Sequence, residues 1–170
     1  MNIKRWTIPV ALAATLALAL AAPALAADPV RPFGGSTIGA GSMGPPNCPG
    51  AAWQYMETST GEMLHLGRVT LVVSHCTFVD TWSNGAPATG HTGPGTFTFT
   101  AANGDMLILG YQSLTFQISP DGLFSHADGT WVVAGGTGRF AGATGSGGTV
   151  AIFDIATETN VGTFRGTIAY

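Results

Sequence analysis

Apolar and polar residues alternate with a period of two along most of the chain from residue 53 onwards. Trp53, Tyr55 and Glu57 fall on one face of a first segment, and the odd-numbered residues 69–75 share one face of the next. Residues 96–100 alternate threonine with phenylalanine throughout. Because successive side chains of a β-strand point to opposite faces, this pattern predicts half-buried strands.

Residues typical of turns divide this pattern into short segments. Asn103-Gly104 separates two alternating runs and is the strongest short-range signal for a hairpin, and Pro120-Asp121-Gly122 marks another turn. Residues 83–95 are rich in Gly, Pro, Ser and Asn and predict a long loop. We therefore expect about seven or eight strands between residues 53 and 170.

Strands at such short spacing form either a barrel or a sandwich. We expect an all-β fold, an antiparallel closed β-barrel of about eight strands, with a β-sandwich as the alternative. Closure leaves no unpaired strand edge, which matters in a chain that has no lysine after Lys4. Residues 53–170 are assigned to this barrel domain, and residues 27–52, rich in Pro, Gly and Ser, to an irregular lead-in.

Residues 1–26 have the pattern of a secretory signal peptide. Lys4 and Arg5 precede an apolar, Ala- and Leu-rich run, and a small-residue cleavage site ends at Ala26. The alternative is a membrane anchor, but the run is shorter than the ~20 apolar residues of a membrane span. We expect cleavage before Ala27 and a secreted or periplasmic protein without a membrane anchor.

The charge of the remaining chain excludes two classes of partner. Two of the six basic residues lie in the predicted signal peptide, so four arginines remain against nine acids, a net charge of −5. A chain so poor in cations has no basic patch for nucleic acid or for anionic lipid. We expect neither partner, and the oligomeric state is left open.

Cys48 and Cys76 are the two cysteines of the chain. An even number of cysteines in an exported protein favours a disulfide bond between them. The alternative is a metal site, but neither cysteine has a second cysteine at the close spacing of zinc ligands. The four histidines also match no zinc motif, and we expect neither a metal nor a cofactor.

A glycine-rich segment at residues 135–145 formally contains the dinucleotide-binding pattern G-x-G-x-x-A, from Gly136 to Ala141. That pattern binds a pyrophosphate only where a helix begins at the glycines. The residues that follow are again rich in glycine, which costs about 1 kcal/mol per position in a helix. The glycines are better explained by bulges and close backbone approaches between strands.

The same segment resembles a turn and strand of the allene oxide cyclase and dirigent barrels, GGTG-x-F-x-x-x-x-G. It is also similar to a segment of small secreted bacterial proteins without an assigned function, in which a His-Leu-Gly-Arg segment (here residues 65–68) and a hairpin (here residues 96–105) come first. The resemblance covers residues 63–170 approximately and implies an eight-stranded barrel with a central cavity. The functional side chains of those families have no matching positions in this chain.

Two residues are weak candidates for catalysis. Glu57 lies on the face of Trp53 and Tyr55, where a carboxylate beside aromatic rings in a cavity acts as a general base. The alternative is a rim charge or an ion pair with Arg68 or Arg165. His75 ends an apolar face, and the alternative to a catalytic role is a hydrogen-bonded structural histidine. No nucleophile motif of a hydrolase is present.

The most favoured function is the binding, without catalysis, of a small apolar molecule in the barrel cavity. The residues expected to line it are Phe97, Phe99, Trp131 and Phe140, and the small residues from Ala141 to Gly148 are expected to leave space at one wall, whichever of their two faces points inward. The alternatives are a cofactor-free isomerase or cyclase that acts in the cavity, and a purely structural secreted module. An open cavity that contains a buried Glu57 or His75 favours catalysis, and a purely apolar cavity favours binding.

Overall fold

The computed structural model describes residues 28–170, and the predicted signal peptide lies outside the described residues. The fold is all-β and antiparallel, as expected, and its regular elements are ten strands and one single-turn 3-10 helix, Gly138–Phe140. The strands are β1 (Val30–Gly44), β2 (Trp53–Met63), β3 (Gly67–Ser83), β4 (Ala86–Thr92), β5 (Gly95–Ala101), β6 (Met106–Tyr111), β7 (Leu114–Ile118), β8 (Phe124–Gly136), β9 (Thr144–Asp154) and β10 (Thr159–Ala169). Among the described residues, no helix is long and apolar enough to cross a membrane.

The ten strands form one sheet in which every strand has a neighbour on both sides. Starting from β1, the pairings run through β10, β9, β8, β6, β5, β3 and β2, and β2 pairs again with β1. On one of its two sides, each of the long strands β3 and β8 pairs with two short strands. Strand β3 pairs there with β5 and β4, and β8 pairs with β6 and β7. Strands β4 and β5 therefore pair with successive parts of β3 and together occupy one position in the ring. Strands β6 and β7 pair with successive parts of β8 and occupy the next position, so the ring has eight strand positions.

The prediction of an irregular lead-in over residues 27–52 is wrong for Val30–Gly44. This segment forms β1, which pairs along its length with both β2 and β10. Glycines in this segment lie where neighbouring strands approach closely, rather than in turns. A Cβ built on Gly39, for example, would lie closer than 3.0 Å to the Ser59 side chain. The prediction of a loop over residues 83–95 is likewise wrong, because Ala86–Thr92 form β4.

Two predicted turns are confirmed. Asn103-Gly104 connects β5 to β6, where the amide of Ala101 donates to the carbonyl of Asp105 over 2.9 Å and Gly104 has a φ of 88°. The turn at Pro120-Asp121-Gly122 connects β7 to β8, and Gly122 has a φ of 74°. Both glycines therefore occupy the left-handed region, which explains why glycine marks these turns in the sequence.

One end of the ring interior is filled by a packed apolar core. It is built from the first residues of β1, β3 and β6 and the last residues of β2, β5, β8 and β10. Its members include Phe33, Met63, Leu66, Val69, Phe99, Leu107, Trp131, Phe140 and Ile168. Phe140 comes from the 3-10 turn and is fully buried, so this turn closes the packed end.

The glycine-rich wall does not leave the space that the sequence suggested. The indole of Trp131 occupies it, since a Cβ built on either Gly147 or Gly166 would lie closer than 3.0 Å to the indole ring. Trp131 also donates through Nε1 to the carbonyl of Gly148 over 2.9 Å. Small residues on β9 and β10 therefore accommodate one large side chain of the core.

The glycine motif shapes the backbone, as predicted. Gly136 ends β8, and only a single 3-10 turn follows, so no helix begins there to receive a pyrophosphate. Gly138 has a φ of 58°, and its missing side chain leaves room for the carboxylate of Asp105.

The predicted disulfide bond between Cys48 and Cys76 is confirmed, with a Cα–Cα distance of 6.3 Å. It ties the connection between β1 and β2 to the middle of β3. Nearby, the amide of Ala52 donates to the carbonyl of Thr77 over 2.8 Å. The connection over residues 45–52 is therefore held at two points.

Candidate functional site

The ring interior contains a cavity of about 100 Å³ at the end opposite the packed core. Every strand except β6 contributes to its lining, chiefly the last residues of β1 and β9, the first residues of β2, β8 and β10, the middle of β3 and the inner face of β7. The lining side chains are mostly apolar and include Met43, Trp53, Leu71, Val73, Phe97, Leu114, Phe116, Ile118, Phe153, Ile155 and Phe164. The polar ones include Tyr55, Glu57, His75, Thr77, Thr92, Thr149 and Asn160.

The cavity has a closed floor and an exposed rim. Leu71, Phe97 and Phe164 form the floor and are at most 5% exposed. Met43 and Ile155, at the other side, are 47% and 37% exposed. The cavity therefore opens to solvent at the end where the disulfide holds the connection between β1 and β2.

Glu57 lies on the inner face of β2 and is 5% exposed. The Tyr55 hydroxyl donates to its Oε2 over 3.1 Å, and the Asn160 amide donates to the same oxygen over 2.7 Å. The Ser59 hydroxyl donates to Oε1. The alternative of a rim charge or an ion pair with Arg68 or Arg165 is wrong, because Glu57 is buried among neutral donors and both arginines are exposed on the outside.

Burial raises the pKa of the Glu57 carboxyl above its ordinary value, because the charged form loses its hydration. The hydrogen bonds from Ser59, Tyr55 and Asn160 act in the opposite direction and partly offset this effect. A buried carboxyl with three donors can therefore hold a charge or a proton, and a ligand in the cavity can decide between the two states.

His75 lies on the inner face of β3, and Tyr111 is its hydrogen-bond partner, with 2.6 Å between Nδ1 and the hydroxyl oxygen. Burial lowers the pKa of His75 to about 4, so the ring is neutral at pH 7. Burial, and then the nearby Glu57, raise the pKa of Tyr111, so its hydroxyl stays protonated. A neutral imidazole pairs with this hydroxyl in either direction, according to which ring nitrogen carries the proton.

Tyr55 joins the two candidate residues. Its ring stacks on the His75 ring with centroids 5.1 Å apart, and its hydroxyl donates to Glu57. Burial, and then Glu57, raise the pKa of Tyr55, which keeps this hydroxyl protonated. The sequence-predicted pair Glu57 and His75 therefore belongs to one network inside one cavity.

The four predicted ligand-binding aromatics are divided between the cavity and the core. Phe97 lines the cavity and packs on Tyr111, with ring centroids 4.6 Å apart. Phe99, Trp131 and Phe140 are almost completely buried in the packed end and do not line the cavity. They therefore support its floor rather than face a ligand.

Several site residues were missed from the sequence. Ser59 continues the alternation of Trp53, Tyr55 and Glu57, and this periodicity would have identified it. Asn160 is an inward-facing residue at the start of β10, and no alternation of apolar residues around it marks its burial. No local pattern could have paired His75 with Tyr111, because these residues lie on strands that do not neighbour each other.

Comparisons of the chain with protein-family models, with curated proteins and with solved structures found no match. Within residues 28–170, no group of three or more His, Cys, Asp or Glu residues is placed to hold a metal ion.

Proposed function

We propose that the ring of strands is a closed β-barrel whose cavity binds one small, largely apolar molecule. The pairing of β1 with both β2 and β10 supports closure, and it agrees with the barrel that the resemblance to allene oxide cyclase and dirigent proteins implies. A barrel of eight strand positions has an interior just wide enough for side chains or for one small ligand. Here side chains fill one end, and the other end is left for the ligand.

The observation that carries this proposal is an open cavity with apolar walls and a few convergent polar groups. A cavity of about 100 Å³ is several times larger than the ~10–15 Å³ that one water molecule needs. Burial of apolar surface at about 25 cal/mol per Å² would drive binding, and the polar groups would orient the ligand.

We propose that the protein performs this function outside the cytoplasm. The disulfide between Cys48 and Cys76 fits an oxidising compartment, and the sequence pattern of residues 1–26 fits export. The test is N-terminal sequencing of protein recovered from the exported fraction. A chain that begins at Ala27 supports export, and an uncleaved chain in the membrane fraction contradicts it.

Ligand binding is tested with toluene as a neutral apolar probe, followed by NMR of the protein. Ala151 lines the cavity, and its neighbour Val150 is 53% exposed on the outer face of the same strand. We expect A151F to abolish toluene binding because the ring fills the cavity, and V150F to leave binding unchanged. The proposal is wrong if toluene shifts no signals of cavity residues.

A second candidate function is a cofactor-free isomerase or cyclase that transfers a proton in the cavity. The observation that favours it is the presence in one network of two titratable groups with opposite pKa shifts, raised for Glu57 and lowered for His75. Glu57 would abstract a proton from the α-carbon of a bound carbonyl compound, and the neutral His75 would donate a hydrogen bond to the enolate oxygen. The test is exchange of α-deuterium from cyclopentanone, which E57Q and H75Q would each abolish if this function is present.

A further inference from the structure

The Glu57 carboxylate is buried without a positively charged partner. Its three hydrogen-bond donors, Ser59, Tyr55 and Asn160, are all neutral. A carboxylate offers about four lone-pair sites on its two oxygens. Oε2 accepts two of the three bonds and Oε1 only one, so one acceptor site remains on Oε1 of a residue that lines the cavity.

The cavity walls supply no cation for this carboxylate. None of the described residues that line the cavity is a lysine or an arginine. His75, the one lining histidine, is neutral at pH 7 because burial lowers its pKa to about 4. An ionised Glu57 therefore leaves an uncompensated negative charge at the cavity surface, and such a charge is costly in an apolar environment.

Aromatic rings line the same cavity as Glu57. The ring-bearing residues that line the cavity, apart from His75, are Trp53, Tyr55, Phe97, Phe116, Phe153 and Phe164. The ring of Phe153 meets that of Tyr55 edge to face at 5.7 Å. Aromatic faces attract cations through the ring quadrupole, and the interaction strengthens when the cation is desolvated.

We propose that the ligand of this cavity is an organic cation, a protonated amine carried on a small apolar frame. This inference rests on the proposed binding function and names its ligand class. The ammonium group donates to the free site on Glu57 Oε1 and supplies the missing positive charge. The apolar frame contacts the floor formed by Leu71, Phe97 and Phe164.

A neutral alcohol could donate to the same oxygen, but it would leave the negative charge uncompensated. A cation also gains from the aromatic walls, whereas an alcohol does not. The negative net charge of the chain after residue 26 further favours the approach of a cation. The charge on the ligand, rather than its hydrogen-bonding capacity, is therefore expected to determine affinity.

The titratable groups that face Glu57 are Tyr55 on β2, His75 on β3 and Tyr111 on β6. Both tyrosines stay protonated at neutral pH, because burial and Glu57 raise their pKa values. Acidification therefore acts first on Glu57, whose protonation removes the charge, and then on His75, whose protonation repels a cation. Amine affinity is expected to fall as the pH is lowered from 7.5 towards 4.

The experiment compares three probes of similar shape by isothermal titration calorimetry at pH 7.5: toluene, benzyl alcohol and benzylamine, which is protonated at this pH. We expect benzylamine to bind the native protein at least tenfold more tightly than benzyl alcohol. In E57Q, which keeps the shape of the side chain, this preference should disappear. The matched control is E62Q, because Glu62 is an exposed carboxylate on the outer face of the same strand.

The probes distinguish failure of this inference from failure of the binding proposal. Toluene or benzyl alcohol binding as tightly as benzylamine to the native protein overturns the inference and leaves the binding proposal intact. Binding of none of the three probes overturns both. If E57Q does not fold, the comparison on the native protein, repeated at pH 5 where the preference should shrink, still decides the question.

Discussion

The hydroxyl of Tyr55 lies directly over Gly41 on the neighbouring strand. The strand register places Gly41 opposite Glu57 and Met43 opposite Tyr55, so the tyrosine ring reaches diagonally across β1. A Cβ built on Gly41 would lie closer than 3.0 Å to the hydroxyl oxygen and to two ring carbons. The absence of a side chain at position 41 is therefore what allows Tyr55 to reach Glu57.

We expect G41A to disturb the site, because the new methyl group lies against the Tyr55 side chain. The new methyl displaces the Tyr55 ring and weakens its bond to Glu57, at a cost of about 1–3 kcal/mol in the free energy of unfolding. Toluene and benzylamine affinity should fall with it. The control is G44A on the same strand, where a Cβ meets no atom within 4 Å. Equal stability and affinity of the two variants in denaturant and binding titrations would contradict this role of Gly41.

The strands from Trp53 onwards could largely be predicted, because their alternation records which face is buried. Val69, Leu71 and Val73 are indeed buried, while Thr70 and Val72 between them are exposed. Strand β1 could not be predicted by the same rule. Its inner face includes Gly39 and Gly41, which have no side chain to reveal burial, and the reason for each glycine lies on β2.

The candidate site could be predicted only in part for a related reason. Glu57 and His75 stand out because a polar residue at the end of an apolar face is unusual. Their partners Tyr111 and Asn160 are separated from them in sequence by 36 and 103 residues, and only the strand order brings them together. Phe99 and Trp131 are indistinguishable from Phe97 in sequence, since alternation reports the inner face of a strand but not the depth of a residue inside the ring of strands.

Gly147 provides a test of how the packed end is built. G147A would place a methyl group against the indole of Trp131 and against the backbone of β10. Because backbone cannot rotate away, we expect destabilisation of about 3 kcal/mol, the upper part of the usual range for overpacking. In G148A the nearest atom is a carbonyl oxygen 3.5 Å from the new methyl, so this neighbouring variant should remain close to wild type. Urea denaturation of both variants measures the difference, and similar midpoints would argue against the packing described for Trp131.

The disulfide should contribute strongly to stability because it closes a loop between residues 28 positions apart. Chain entropy gives about 3.6 kcal/mol for a loop of this length. Denaturant unfolding with and without dithiothreitol should show a loss approaching this value. The double variant C48A/C76A should be equally stable under both conditions. A native protein whose stability does not change once both thiols are shown to be free would refute this contribution.

His75 makes the stability of the protein depend on pH in a defined direction. Burial lowers its pKa in the folded state to about 4, below the ordinary 6.5 that applies in the unfolded chain. Between these two pH values the unfolded state binds more protons than the folded state, so acidification favours unfolding. The stabilisation is complete above pH 6.5 and is lost as the pH falls through 4. Glu57 acts in the opposite direction, because its raised pKa favours the folded state at low pH.

Comparing wild type with H75Q separates the contribution of His75 to the pH dependence of stability from that of Glu57, because both proteins contain Glu57. The stability difference between wild type and H75Q should shrink by about 2.5 kcal/mol between pH 7 and pH 4.5, since only the wild type has a buried imidazole to protonate. Y111F removes the hydrogen bond to Nδ1 but leaves the imidazole buried, and burial is the cause of the lowered pKa. Y111F should therefore keep the acid-dependent loss that H75Q lacks. Guanidinium unfolding at the two pH values measures all three proteins, and a difference between wild type and H75Q that stays constant or grows on acidification would contradict a lowered pKa of His75 in the folded state.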